Sequence, residues 1–212
     1  MIHWLFDCDN TLYRAGTGFF DRVNGRITEY METVMGMEPA FIAPLRKRYR
    51  AEYGVTLAGL MAEYGVDPGH YLPFVHDVPL NDLIEPDPAL LDSLAALPGR
   101  RVVFTNGSMA HACRVLERLG VAPAFEAVYE IEFMDYVPKP KPHGYLKILD
   151  HLGIDANQSV MVDDHDANLE TAQKIGMITV KVGGPPPIAG LHAETASGVV
   201  AAVEAAGLIR RG

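Results

Sequence analysis

The sequence predicts an α/β fold: a doubly wound parallel sheet with a Rossmann-like core and an all-helical cap inserted after the first strand. Two observations lead there. Short β-rich runs recur along the chain, each followed by a helical pattern, which implies βαβ crossovers and helices on both faces of a parallel sheet. From about Ala15 to Glu85 that alternation stops, and glycines and prolines punctuate helical patterns alone. The 212 residues therefore divide into an α/β core of residues 1–14 and 86–212 and a helical cap of residues 15–85.

The first strand, Ile2–Asp7, is nearly all apolar until it meets Asp7. Helices of the insert are read in "GFFDRVNGRITEYMETVMG", "PAFIAPLRKRYRAEYG", "TLAGLMAEYG" and "PGHYLPFVHD". The second strand, "RVVFTNG" (Arg101–Gly107), leads into an amphipathic run from Met109 to Leu119. "FEAVYEIE" (Phe125–Glu132) is a weaker third strand, before the helix "HGYLKILDHLG". The fourth strand, "SVMVDD" (Ser159–Asp164), precedes the helix "ANLETAQKIG", which ends on Gly176. "MITVKVG" (Met177–Gly183) is the fifth strand; "GGPPPIAG" reads as a stiff loop and "ETASGVVAAVEAAG" as a last helix.

Composition narrows the function. With 27 acidic against 18 basic residues the net charge is −9, which argues against a nucleic-acid polymer or an anionic membrane as partner, since both need a basic face. Cys8 and Cys113 make neither a disulfide framework nor a metal-ligand cluster. No signal peptide and no membrane-span-length apolar run is visible, so the expectation is a cytoplasmic protein, monomer or homodimer, acting on a small molecule.

In an open parallel sheet, ligands bind beyond the carboxyl ends of the strands. The first strand ends at Asp7, followed by Asp9 and Thr11; the second at Thr105, Asn106 and Gly107; the fourth at Asp163 and Asp164. Lys139, in "VPKPKPHGY", follows the third. Two crowded acidic pairs cost energy unless a cation offsets them, and Mg²⁺ favours one or two carboxylates plus a substrate phosphate. The Thr105–Asn106–Gly107 turn offers a hydroxyl and backbone N–H groups to an anion at a helix N-terminus. Geometry then suggests roles. Asp7 is the best-placed nucleophile, forming an aspartyl-phosphate. Asp9 can protonate the leaving alkoxide and later accept a proton from water, and a charge count favours a proton resident on it. Lys139 would neutralise the transferring group, and Asp164, with Asp163 beside it, would complete the metal site. Each piece alone has an ordinary reading, as a turn, a helix cap or a solvated loop; their joint occurrence at successive strand ends carries the inference.

The set "FDCDNTLY", "FTNGS", "PKPKPHGY" and "VDDHDANL" resembles the four signature motifs of the haloacid dehalogenase-like hydrolases, mostly Mg²⁺-dependent phosphatases. The segments "YRAEYGVTLAGLMAEYGVDP", "FVHD", "LPGRRVVFTNGSMAHACRVLERLG" and "KIGMITVKVG" are similar to that superfamily's pyrimidine 5'-nucleotidase branch. The resemblance implies Asp7 as nucleophile, Asp9 as acid and base, and Lys139 as the phosphate-binding lysine. It also implies Mg²⁺ held by Asp7, the backbone carbonyl of Asp9 and Asp164, with Asp163 assisting. His165 and Asp166 stand where small or hydroxyl residues are common in that family.

In the cap, His76 and Thr56 are polar residues next to apolar runs and are the candidates for substrate contact, a satisfied structural role being the alternative for each. "RKRYR" (Arg46–Arg50) is either a cationic clamp or a solvated helix face, and Tyr49 and Tyr53 are read as packing together. Cys8 is expected to point into the core. Three rival readings differ from this one in their residues. A dehalogenase needs no carboxylate at Asp9; a receiver domain presents its acidic pair before the phosphorylated aspartate and has no helical insert; a non-catalytic relative would lack Asp7 or Asp9. A phosphatase of pyrimidine nucleoside 5'-monophosphates is the favoured reading, with a broad phosphatase of sugar phosphates or other small phosphomonoesters as the alternative.

Overall fold

The computed structural model describes residues 1–209. Six strands form one sheet: β1 (His3–Phe6), β2 (Arg101–Phe104), β3 (Ala127–Tyr129), β4 (Ser159–Asp163), β5 (Ile178–Val182) and β6 (Leu191–Ala193), in the order β3-β2-β1-β4-β5-β6. Every neighbouring pair is parallel. Alternating side chains of the apolar runs feed two separate cores. Trp4, Phe6, Val103, Val160 and Val162 face one side, where helices α5 (Pro88–Ala95), α6 (Met109–Leu119) and α9 (Val199–Ala205) pack. Leu5, Val102, Phe104 and Met161 face the other, beneath α7 (Pro142–Leu152) and α8 (Asp166–Ile175). The runs lack a polar face because the sheet is covered twice.

Between β1 and β2 lie α1 (Phe19–Glu29), continued by a π-helical turn over Tyr30–Val34, then α2 (Pro39–Tyr53), α3 (Thr56–Tyr64) and α4 (Pro68–His76). These helices have a core of their own, in which Tyr30, Met31, Ile42, Tyr49, Leu57, Leu60, Tyr71 and Val75 are buried together. Gly59 lets α3 press against α2, since a Cβ there would collide with the ring of Tyr49. Tyr49 and Tyr53 pack edge to face at 5.6 Å.

The strands are shorter than the sequence suggests, most of all the third, which spans Ala127–Tyr129 rather than Phe125–Glu132. There Glu130 folds back to accept from the N–H groups of Glu132 and Phe133, turning the chain out of the sheet. The sixth strand falls between the predicted loop and the predicted last helix: three residues paired to β5 over Val180–Val182 lie in a stretch too short to show alternation. Among the described residues, no helix is long and apolar enough to cross a membrane.

Candidate active site

β1 and β4 are neighbours whose connections leave toward opposite edges of the sheet, so the switch point lies between their carboxyl ends. Asp7 stands at the end of β1 and continues its ladder, its N–H donating to Val162 O at 2.8 Å. Asp163 ends β4 and Asp164 follows it. Lys139 arrives from the loop before α7 and is pinned to the loop after β2: its N–H donates to Asn106 Oδ1 (2.9 Å), and Asn106 Nδ2 donates to Lys139 O (3.1 Å). The Lys139 ammonium, fully buried, donates to Asp7 Oδ1 (2.7 Å), Asp163 Oδ2 (2.9 Å) and Phe104 O (2.8 Å).

Ligand oxygens of Asp7, Asp163 and Asp164 lie within 4.8 Å of one another. Burial pushes the Asp7 carboxyl well up; Lys139 opposes this, while Asp163 and Asp164 add to it. Burial, then Asp163, raises Asp164 to about 6. Three carboxylates that repel one another and offer only hard oxygen donors fit a hard divalent cation such as Mg²⁺. Thr11 Oγ1 lies 3.4 Å from both Asp7 Oδ2 and Asp164 Oδ1 and bridges the two. Asp163 is the least free of the three. Its oxygens accept from Lys139 Nζ, from Asn168 Nδ2 (2.9 and 3.0 Å) and from His165 N (2.8 Å), so it orients the lysine as well as adding charge.

Asp9 is held apart from this cluster. Its Oδ1 accepts from Tyr13 OH at 2.6 Å and lies 2.8 Å from His111 Nε2. Burial alone would raise its pKa, but the His111 ring and the two hydrogen bonds outweigh burial and hold the carboxyl below the usual range.

A cavity of about 290 Å³ opens over these groups. Asp7, Asp9, Asp164 and Lys139 line its floor together with Thr105, Asn106 and Gly107, whose N–H donates to Thr105 Oγ1 at 3.0 Å. Phe20, Val23, Ile27, Leu57 and Val75 line its apolar walls, and Thr56 and His76 line the same space. Thr56 is buried. His76 stacks on the His111 ring at 4.1 Å and its Nδ1 lies 2.9 Å from Ser108 Oγ. Burial and the neighbouring His111 push its pKa down to about 3.

Sequence reasoning missed His111, Tyr13 and Asn168. Spacing could have found Tyr13, four residues after Asp9, and Asn168, five after Asp163. His111 is one turn into the helix that Ser108 caps, but its contact with Asp9 spans 102 residues and leaves no local trace. Cys8 is buried, in the core shared by Trp4 and Phe6.

The family model of the haloacid dehalogenase-like hydrolases matches residues 4–176. The chain is 27% identical over 190 residues to phosphate metabolism protein 8 of Saccharomyces cerevisiae, covering 82% of this chain and 59% of that one, so it spans about three fifths of that relative's length. It is 28% identical over 195 residues to a phosphoglycolate phosphatase of Rhodospirillum rubrum, covering 83% of this chain and 77% of that one. Among solved structures it shares its fold with a conserved haloacid dehalogenase-like protein of Agrobacterium tumefaciens, with a TM-score of 0.61 at 17% identity over 97% of this chain and 98% of that one.

Proposed function

The chain belongs to the haloacid dehalogenase-like hydrolases, and we propose that it is a Mg²⁺-dependent phosphatase that hydrolyses pyrimidine nucleoside 5'-monophosphates through an aspartyl-phosphate. The observation that carries the phosphatase reading is the separation of two carboxylates at one strand end. Asp7 is gripped through Oδ1 by Lys139, which leaves Oδ2 with only a distant hydroxyl, while Asp9 is held between Tyr13 and His111. One is fixed for attack and the other for proton transfer.

Asp7 Oδ2 attacks phosphorus and the bond from phosphorus to the leaving oxygen breaks. Asp9, carrying a proton when the substrate is bound, donates it to that oxygen, and in the second half it accepts one from the attacking water. Lys139 neutralises charge on Asp7 and on the group in transfer, and Asn106 keeps the Lys139 loop in place. The Thr105 hydroxyl and the Asn106 N–H would donate to phosphoryl oxygens, the N–H groups of Thr105 and Gly107 being held by Tyr129 O and Thr105 Oγ1. Asp7, Asp164 and the Asp9 carbonyl would hold Mg²⁺, which when bound supplies positive charge to the phosphoryl oxygens. A carboxylate devoted to proton transfer is what an ester needs and a haloacid does not. Phosphoglycolate phosphatase, the Rhodospirillum relative, is named for an ester of this kind.

For the leaving group, the support is the cavity. At about 290 Å³ it lies at the small end of ligand sites, roughly 300–1,000 Å³. Apolar walls with Thr56 and His76 suit a single flat ring better than a purine. The test is phosphate release with Mg²⁺ across UMP, CMP, AMP, GMP, sugar phosphates and p-nitrophenyl phosphate. Higher kcat/KM for UMP and CMP than for AMP and GMP is the expected result. Better hydrolysis of purine nucleotides or sugar phosphates would overturn the nucleotide reading, and absence of any phosphate release would overturn the phosphatase.

A further inference from the structure

The basic run of α2 divides by face. Arg48 points away from the cavity and is spoken for: its guanidinium donates to both oxygens of Glu63 (2.8 and 2.7 Å) and to Glu52 (3.2 Å). Arg46 and Arg50, one helical turn apart, line the cavity that holds Asp7 and Lys139. Among the described residues, neither makes an ion pair. Arg46 is buried, at 9% exposed. Its Nη1 donates to Asn24 O (2.9 Å) and Thr28 Oγ1 (2.6 Å), and its Nη2 to Asn24 Oδ1 (2.7 Å), all neutral acceptors. Its Nε–H has no partner at all.

Five donors on a guanidinium and three bonds leave Nε–H and one Nη2–H, the two that share an edge of the fork and match a carboxylate or phosphate side on. A buried cation without a counter-charge and an orphaned buried donor each cost free energy. Here a second cation, Arg50, aggravates the cost: burial, then Arg50, lowers the Arg46 pKa. The cavity's own carboxylates do not relieve it. They are Asp7, Asp9 and Asp164, all on the core, and Asp7 and Asp9 are already committed to Lys139 and to Tyr13 and His111. Opposite an acidic floor stands a cationic wall with no partner.

We propose that Arg46 and Arg50 form a subsite for a second anionic group, a carboxylate or a second phosphate, carried by the leaving group of the substrate. The proposal rests on the phosphatase reading for the placement of the first phosphate but not on the pyrimidine preference. A nucleotide bearing an acidic substituent and a phosphorylated hydroxy acid both meet it.

The test uses two pairs of esters that differ by one carboxylate: UMP with orotidine 5'-monophosphate, and glycerol 3-phosphate with 3-phosphoglycerate. Binding is read as the ligand-induced rise in Tm and as Kd, in protein carrying Asp7→Asn so that turnover does not intervene. The carboxylated member of at least one pair is expected to bind about tenfold to a hundredfold more tightly, as charge-assisted hydrogen bonds imply. That advantage is expected to fall toward one in Arg50→Gln, an exposed position, and in Arg46→Lys, which keeps the charge and loses the fork. Equal or weaker binding of the carboxylated member in both pairs, or an advantage that survives both substitutions, would overturn the subsite. Turnover of p-nitrophenyl phosphate by the unaltered protein is measured separately, so failure of the phosphatase reading stays distinguishable from failure of the subsite.

Discussion

Lys139→Met is the sharpest test of how the site is held together. The substitution keeps the buried volume and removes an ammonium that serves Asp7 Oδ1, Asp163 Oδ2 and Phe104 O at 2.7, 2.9 and 2.8 Å. Breaking a buried ion pair from one side costs about 3–5 kcal/mol, because the remaining charge is left without compensation. Here two carboxylates are left, so the upper end of that range applies at neutral pH and above. Protons can partly replace the lost cation. Asp7 is already raised by burial, with Lys139 as the main opposing influence, so its removal raises Asp7 further. A carboxyl raised in the fold contributes stability below its unfolded pKa and loses it as pH rises through the folded pKa. The deficit of the variant relative to the unaltered protein must therefore grow with pH, by at most about 1.4 kcal/mol per pH unit for each proton concerned. Urea unfolding in metal-free buffer at roughly pH 5 and pH 8 measures this directly. A deficit below about 1 kcal/mol at both values, or one that shrinks as pH rises, would refute the account of Lys139 as the counter-charge of a buried acidic cluster.

Three further outcomes are expected. Asp7→Asn should leave the fold intact and abolish phosphate release, since an amide cannot form the acyl-phosphate; activity within about tenfold of the unaltered protein would remove the covalent step. Asp9→Asn should slow hydrolysis by about a hundredfold or more, least for aryl esters whose leaving groups need no proton, and His111→Phe should share that leaving-group dependence in weaker form. Mg²⁺ should raise Tm more at about pH 8 than at about pH 5, because Asp164, raised to about 6, keeps its proton at the lower value and the cation must displace it; an equal shift at both would exclude Asp164 as a ligand.

The parts of this site legible in the sequence share one property: each lies where a local pattern ends. Asp7, Thr105 and Asp163 close apolar runs, and a strand end in a parallel sheet already says on which edge a side chain will stand. Lys139 was legible as a charge-neutralising lysine in a proline-rich loop after the third strand; the clamp by Asn106, 33 residues away, is what holds that loop so that its ammonium reaches Asp7. The partners of Asp9 were illegible for the opposite reason. His111 reads as one polar residue on the first turn of an amphipathic helix, and only the packing of α6 on the core face it shares with Trp4 and Phe6, with Phe19 stacked on the His111 ring at 5.6 Å, aims it at a carboxylate.

The basic run shows most plainly where reading from sequence ends. Periodicity says that positions 46 and 50 share a face and that 48 does not, but not which face meets substrate. Glu63 decides it. By taking Arg48 with both oxygens, and the hydroxyl of Tyr49 at 2.7 Å, it fixes the rotation of α2 against α3. Arg46 and Arg50 are then left to the cavity. The dependence is testable. Glu63→Gln removes the charge that orders this contact, in a position well away from the acidic floor. A change in the relative binding of carboxylated and plain esters on that substitution, with hydrolysis of p-nitrophenyl phosphate intact, is the expected result. If Glu63→Gln leaves the binding ratio where it was, the orientation of the arginines is set by the Tyr49–Gly59 packing alone and the salt bridge is a surface feature without consequence for the site.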